Sequence, residues 1–230
     1  MNLIEFTGMR RSGNHAIIFW MLQNLSNLDN FKVKQYVDES SYINHCEIIS
    51  TDEFLYFNNV NLRRCDDVHK TLLRERRKWI IISYEDCHIN YGITLPYEFK
   101  NRYKFSIVRD VRNLVASRLK RLEINKNNEN HIIPNSYMII FKGFFQYYIS
   151  HKNWKTPIFY DKWLVDKNYR DSICDIVKVP NVDKTNYVSP FGNGSSFVGV
   201  QLDKPENLLN RKDSFKIPEP ILKRIEELNL

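Results

Sequence analysis

Apolar positions divide the chain into short β-prone runs that alternate with segments of helical spacing. Leu3-Ile-Glu-Phe-Thr7 is a strand-like run that stops at Gly8, and soon after Gly13 apolar residues recur at Ala16, Ile17, Phe19, Trp20 and Leu22, the spacing of a helix. The first unit is therefore strand, glycine loop, helix. Further runs at Trp79 to Ser83, Tyr103 to Val108 and Pro157 to Tyr160 predict strands, each followed by a segment able to form a helix. Helices are predicted over Val111 to Arg121, Asn135 to Ser150, Trp163 to Val177 and Pro218 to Leu228. Asn186 to Ser214 is left as a long irregular stretch, of a length that is usually functional or disordered. The polar run Asn125 to Asn130 reads as a mobile surface loop or lid. Alternation of this kind predicts an α/β protein with a central, mostly parallel sheet.

Composition adds bounds. A chain of 230 residues that is 43% hydrophobic can bury one substantial core, so residues 1–230 are expected to form a single domain. The excess of 34 Lys and Arg over 27 Asp and Glu gives a net charge of +7. That field selects anionic partners by sign only: nucleotides, sulfated sugars, nucleic acid or acidic lipid. Cys46, Cys65, Cys87 and Cys174 are scattered, with no Cys-x-x-Cys pair and no His at zinc-ligand spacing, so free thiols are expected and neither metal nor disulfide is. The opening Met1-Asn-Leu-Ile-Glu-Phe6 lacks a basic segment and a long apolar run, and the longest apolar stretch, Tyr137 to Ile149, is broken by Lys142. A soluble cytoplasmic protein with no membrane partner is the expectation. The four tryptophans, Trp20, Trp79, Trp154 and Trp163, read as core or core-edge residues. The basic clusters Arg63-Arg64, Arg74 to Lys78 and Arg118 to Arg121 read first as solvated helix faces, with recognition of an anionic acceptor as the alternative.

The candidate chemistry begins at Gly8-Met-Arg-Arg-Ser-Gly13-Asn14-His15, a Gly-x-x-x-x-Gly skeleton between a predicted strand and a predicted helix. Glycines let the backbone turn so that N–H groups point inward, and the helix N-terminus adds partial positive charge, which together cradle an anion. A nucleotide hydrolase would carry Lys and Ser or Thr after the second glycine. Here Asn14 and His15 stand there, which argues against a magnesium-ATP site. The cations precede that glycine instead, as Arg10 and Arg11. His15 is a candidate donor to a 5′-phosphate in place of a hydroxyl.

Arg11-Ser12-Gly13-Asn14 resembles the Lys/Arg-Ser-Gly-Thr signature of sulfotransferases that use 3′-phosphoadenosine-5′-phosphosulfate (PAPS). The resemblance implies a three-layer α/β/α fold of the P-loop type, and makes Arg11 the catalytic cation at the bridging oxygen and scissile sulfate. In that family an Arg at a strand end and a Ser eight residues later bind the 3′-phosphate. Arg109 and Ser117 match that pattern, with Val111 where Pro is common. Shorter echoes follow in family order: Phe159-Tyr160-Asp161 near the adenine, Ser195-Ser196-Phe197 as an adenine contact, and Arg211-Lys212 as a phosphate clamp, with Asp213 where the family has Gly. Gly192-Asn-Gly194 is either a second anion nest or a flexible turn. Together these residues imply PAPS as donor and 3′-phosphoadenosine-5′-phosphate (PAP) as product.

Sulfuryl transfer to a hydroxyl also needs a base near the acceptor oxygen. The strand that starts at Trp79 runs into Tyr84-Glu85-Asp86-Cys87-His88, the place where related enzymes carry a catalytic His or Glu. Glu85 is the first choice. Asp86 and His88 are substitutes, because strand alternation sends Glu85 and Asp86 to opposite sides. The acceptor, a small molecule or glycan hydroxyl or amine, has no legible motif, and no nucleic-acid partner is expected. Two other classes fit the residues: a small nucleotide or metabolite kinase, and a non-catalytic module for nucleic acid or another polyanion.

Overall fold

The computed structural model describes residues 1–26, 48–58, 60, 65–126, 143–183, 185 and 205–230, and every structural statement here concerns those residues. Six strands form one sheet: β1 (Asn2–Gly8), β2 (Ile48–Ser50), β3 (Phe54–Phe57), β4 (Trp79–Glu85), β5 (Asn101–Val108) and β6 (Pro157–Phe159). Their spatial order is β2-β3-β4-β1-β5-β6, parallel throughout except for the edge strand β2, which pairs antiparallel with β3. Eight helices accompany them: α1 (Asn14–Ser26), α2 (Cys65–Arg74), α3 (Val111–Lys126), α4 (Phe144–Lys152), α5 (Tyr160–Val165), α6 (Lys167–Val177), α7 (Pro205–Leu209) and α8 (Glu219–Glu227).

Alternation along the strands loads both faces of the sheet. Ile4 and Phe6 of β1 join Ile81, Phe105, Ile107 and Ile158 on one face, where α1, α5 and α6 pack through Ile17, Trp20, Trp163 and Ile173. Leu3, Ile80, Ile82 and Tyr84 point the other way and are covered by Val68 and Leu72 of α2. A further cluster joins Met9 and Val108, at the strand ends, to α3, α4 and α8 through Leu114, Val115, Phe144 and Ile221. This arrangement is an α/β protein consistent with three layers, helix on sheet on helix. No helix among the described residues is long and apolar enough to cross a membrane.

Several sequence expectations change at this level. The helix predicted over 163–177 is two helices, α5 and α6, divided at Asp166. The Asp166 carboxylate accepts the Tyr169 N–H at 3.1 Å and caps α6, so the polar position that periodicity absorbed is a helix start. Of the helix predicted over 135–150, residues 143–150 are described, and the helix begins at Phe144. Asn125 belongs to α3, while 127–130 lie outside the described residues. Part of the stretch read as irregular is ordered as α7 and a 3-10 turn, Arg211–Ser214. The β2–β3 hairpin and α2 were not predicted. Phe54-Leu-Tyr-Phe57 is buried on both faces, so it shows no alternation to read. Trp20, Trp79 and Trp163 are buried in the core.

Candidate functional site: an arginine-lined loop at the strand ends

After β1 the chain leaves toward the β3 side of the sheet, whereas after β5 it leaves toward β6. The carboxyl ends of β1 and β5 therefore flank a topological switch point, the place where open α/β sheets hold ligands. Gly8 lies opposite Glu85 of β4 and Ile107 of β5. The parallel register thus brings the 9–13 loop, the 85–88 segment and Arg109 to one edge.

The loop is tightly organised. Arg11 has φ +74° and Gly13 φ +92°, left-handed conformations that rotate successive amides in the manner of an anion nest. The Ser12 N–H donates to the Met9 carbonyl at 3.0 Å and closes the turn. The Ser12 hydroxyl is within 2.5 Å of the same carbonyl and 2.8 Å of Asn14 Oδ1, and Asn14 Nδ2 reaches Met9 O at 3.3 Å and Glu85 Oε1 at 3.0 Å. Ser12 and Asn14 are both buried, so they hold the loop from within. Helix α1 has no acidic residue of its own in its first turn, and the carboxylate that meets its first two residues, Asn14 and His15, is that of Glu85.

Beneath the loop lies Arg109, only 3% exposed. One of its terminal nitrogens donates to the Arg11 carbonyl at 3.3 Å and the other to the Leu208 carbonyl, while Nε has no hydrogen-bond partner among the described residues. Its guanidinium carbon sits 4.9 Å from the centroid of the Tyr160 ring. One edge of that ring packs on Gly13: a Cβ there would stand 2.9 Å from Tyr160 Cγ and closer still to Cδ2 and Cε2. Burial pulls the Arg109 pKa below its ordinary value, opposed by Tyr160, Asp161 and Asp110, and a guanidinium stays charged through such a shift. Asp161 accepts the Asp110 N–H at 2.7 Å; burial raises its pKa, against the lowering pull of that bond and of Arg109.

Glu85 and Asp86 do not diverge as strand alternation predicted. Glu85 is the last residue of β4, and Asp86 follows it at φ +53°, a left-handed turn that swings its carboxylate back toward the loop. Arg10 Nε consequently lies 3.5 Å from Glu85 and 3.6 Å from Asp86. Glu85 also faces His15 Nε2 at 3.9 Å. Asp86 Oδ1 accepts the Arg10 N–H at 3.0 Å and pairs with Arg118. His88 is exposed; its Nδ1 accepts the Asn90 N–H at 3.2 Å and its ring faces Tyr147, so no described contact joins it to the loop.

The remaining candidates divide. Ser117 is fully buried in α3. Lys212 is exposed, and its N–H donates to Asn113 Oδ1 at 3.0 Å, while Asn113 Nδ2 donates to the Leu209 carbonyl. Through these bonds the 205–214 segment returns to α3 and to Arg109, and the 3-10 turn holding Arg211 and Lys212 sits beside the site. Ser195, Ser196, Phe197 and the Gly192–Gly194 turn lie outside the described residues. Three participants were missed: Asn113, the Leu208 backbone and Arg118. Arg118 had been read as part of a solvated face, yet its side chain is 16% exposed.

Among the described residues no group of three or more His, Cys, Asp or Glu side chains forms a metal site. Burial pushes the Cys87 thiol up to about 11 and the Cys174 thiol to about 12, so both are protonated near neutrality. The sequence matches no protein-family model and no curated protein.

Proposed function

We propose that this chain transfers a sulfuryl group from PAPS to a hydroxyl or amine of an acceptor and releases PAP. One observation supports the reading above all: Arg109, far from the loop in sequence, is bonded to the loop's own backbone at Arg11. Two anion-binding elements thereby share one edge of the sheet, as a nucleotide with phosphates at both ends of its ribose requires. The unpartnered Nε of Arg109 and the left-handed cradle at Gly13 fit such a group.

In this reading the loop amides and the start of α1 hold the 5′-phosphate, and Arg11 stabilises the charge that develops on its bridging oxygen. The acceptor oxygen attacks sulfur, the bond from sulfur to that bridging oxygen breaks, and the acceptor proton passes to Glu85. A 3′-phosphate reaches Arg109 by replacing the Leu208 carbonyl, so the 205–209 segment shifts on binding.

Calorimetry tests this directly. PAP is expected to bind at least about tenfold more tightly than AMP, the equivalent of one charge-assisted bond, and Arg109→Met is expected to erase the difference. Equal affinities of the native protein for PAP and AMP would remove the reading. A second reading, a magnesium-dependent kinase, draws on the two carboxylates beside the loop, Glu85 and Asp86. Magnesium-dependent ATP turnover without PAP binding would establish it instead.

A further inference from the structure

We propose that Arg118, together with Asp86, is the positioning residue that sets the shape of the phosphate loop. The proposal deepens the nucleotide-binding reading and rests on it for its functional consequence.

The argument starts from backbone geometry. Arg118 Nε donates to the Arg10 carbonyl at 3.2 Å, and another of its nitrogens pairs with Asp86 Oδ1. Its guanidinium is stacked 5.0 Å above the Phe144 ring, which fixes it from the far side. Asp86 in turn accepts the Arg10 N–H at 3.0 Å and donates its own N–H to the Gly8 carbonyl at 3.1 Å. The pair therefore grips the loop backbone at Gly8 and at both polar groups of Arg10, while Arg109 holds the next carbonyl, that of Arg11.

A trans peptide points its C=O and N–H in opposite directions. With the Arg10 carbonyl held against Arg118, the amide of Arg11 in the same peptide unit is aimed away from α3. That is the orientation an anion nest needs, and it is maintained by a side chain held on the outside of the loop. Asp86 Oδ1 already carries two donors, one from the Arg10 backbone and one from Arg118. Glu85 meets the loop through Asn14, Arg10 and His15.

A Lys cannot replace this Arg, because one ammonium does not fork onto both a carboxylate and a carbonyl in fixed geometry. The test uses the full chain with Arg118→Met, Arg118→Lys, Asp86→Asn and the double variant Asp86→Asn/Arg118→Met. Arg112→Met is the control: it lies on the same helix but pairs with Glu226 at 3.7 Å. Hydrogen exchange without ligand should rise about tenfold or more in peptides covering residues 8–14 for Arg118→Met and Arg118→Lys, with other regions and the control unchanged. PAP affinity should fall about tenfold, and the double variant should be no worse than the worse single one.

Unchanged loop exchange in Arg118→Met, an equal rise across the whole chain, or additive losses in the double variant would overturn the proposal. If Arg118→Met does not fold, the same readouts on Arg118→Lys and Asp86→Asn decide it. If loop exchange responds as expected but the native protein does not bind PAP, the nucleotide reading fails and the positioning role stands.

Discussion

Replacing Gly13 by Ala tests the loop at its tightest point. Gly13 sits at φ +92°, where an L-residue costs about 1–2 kcal/mol. The new methyl would also drive into the Tyr160 ring, 2.9 Å from Cγ and nearer to the ring edge. Tyr160 cannot swing aside freely: Arg109 lies on one side of it, and its ring centroid is 5.8 Å from that of Trp163. Overpacking of this kind costs about 1–3 kcal/mol. The expected loss is thus about 2–5 kcal/mol, a large share of the roughly 5–15 kcal/mol that holds a typical domain together. For a chain of this size each kcal/mol lowers Tm by about 2–4 °C, so a fall on the order of 10 °C is expected. Urea denaturation of Gly13→Ala, Tyr160→Ala and the double variant separates the two causes. Removing the ring abolishes the clash but not the backbone strain, so the double variant should be more stable than the sum of the single losses implies by about 1–3 kcal/mol. A loss below about 1 kcal/mol for Gly13→Ala, or strict additivity, would refute the reasoning.

Arg11→Ala is expected to lower turnover far more than it weakens PAP binding, since its partner charge develops during transfer; calorimetry beside single-turnover rates measures both. Glu85→Gln should cut kcat by about 10²–10⁴ while PAP still binds, and an unchanged rate would move the base elsewhere. His151 bridges Ser106 Oγ at 2.9 Å and the Cys87 carbonyl at 3.0 Å, and burial lowers its pKa from the ordinary 6.5. The unfolded chain therefore binds this proton more readily than the folded one, so the His151 contribution is intact above pH 6.5 and is lost as pH falls through the folded-state value. Relative to His151→Gln, the native protein should lose stability to urea below pH 6.5, and parallel profiles would exclude His151 as the cause.

The local pattern of residues determined the frame of this site. A β-prone run, two glycines five apart and an apolar helix placed the loop, because turn chemistry and periodicity are short-range effects. Arg109 was singled out by its resemblance to a family pattern, an Arg that ends a strand with a Ser eight residues later, rather than by periodicity. Both sit where the sequence puts them, at the carboxyl ends of β1 and β5.

The partners of those residues were decided by tertiary structure. Asp86 meets Arg10 across 76 positions and Arg118 meets it across 108. Such contacts depend on which strands are neighbours and in what register, and periodicity carries no information about either. The left-handed turn at Asp86 reversed the side to which alternation assigned its carboxylate. Burial converted Arg118 from a surface charge into a loop support, since a guanidinium withdrawn from water must find acceptors, and here these are a carboxylate and a backbone carbonyl. The sequence supplied the charges, and packing of α3 against the strand ends chose which of them face the loop.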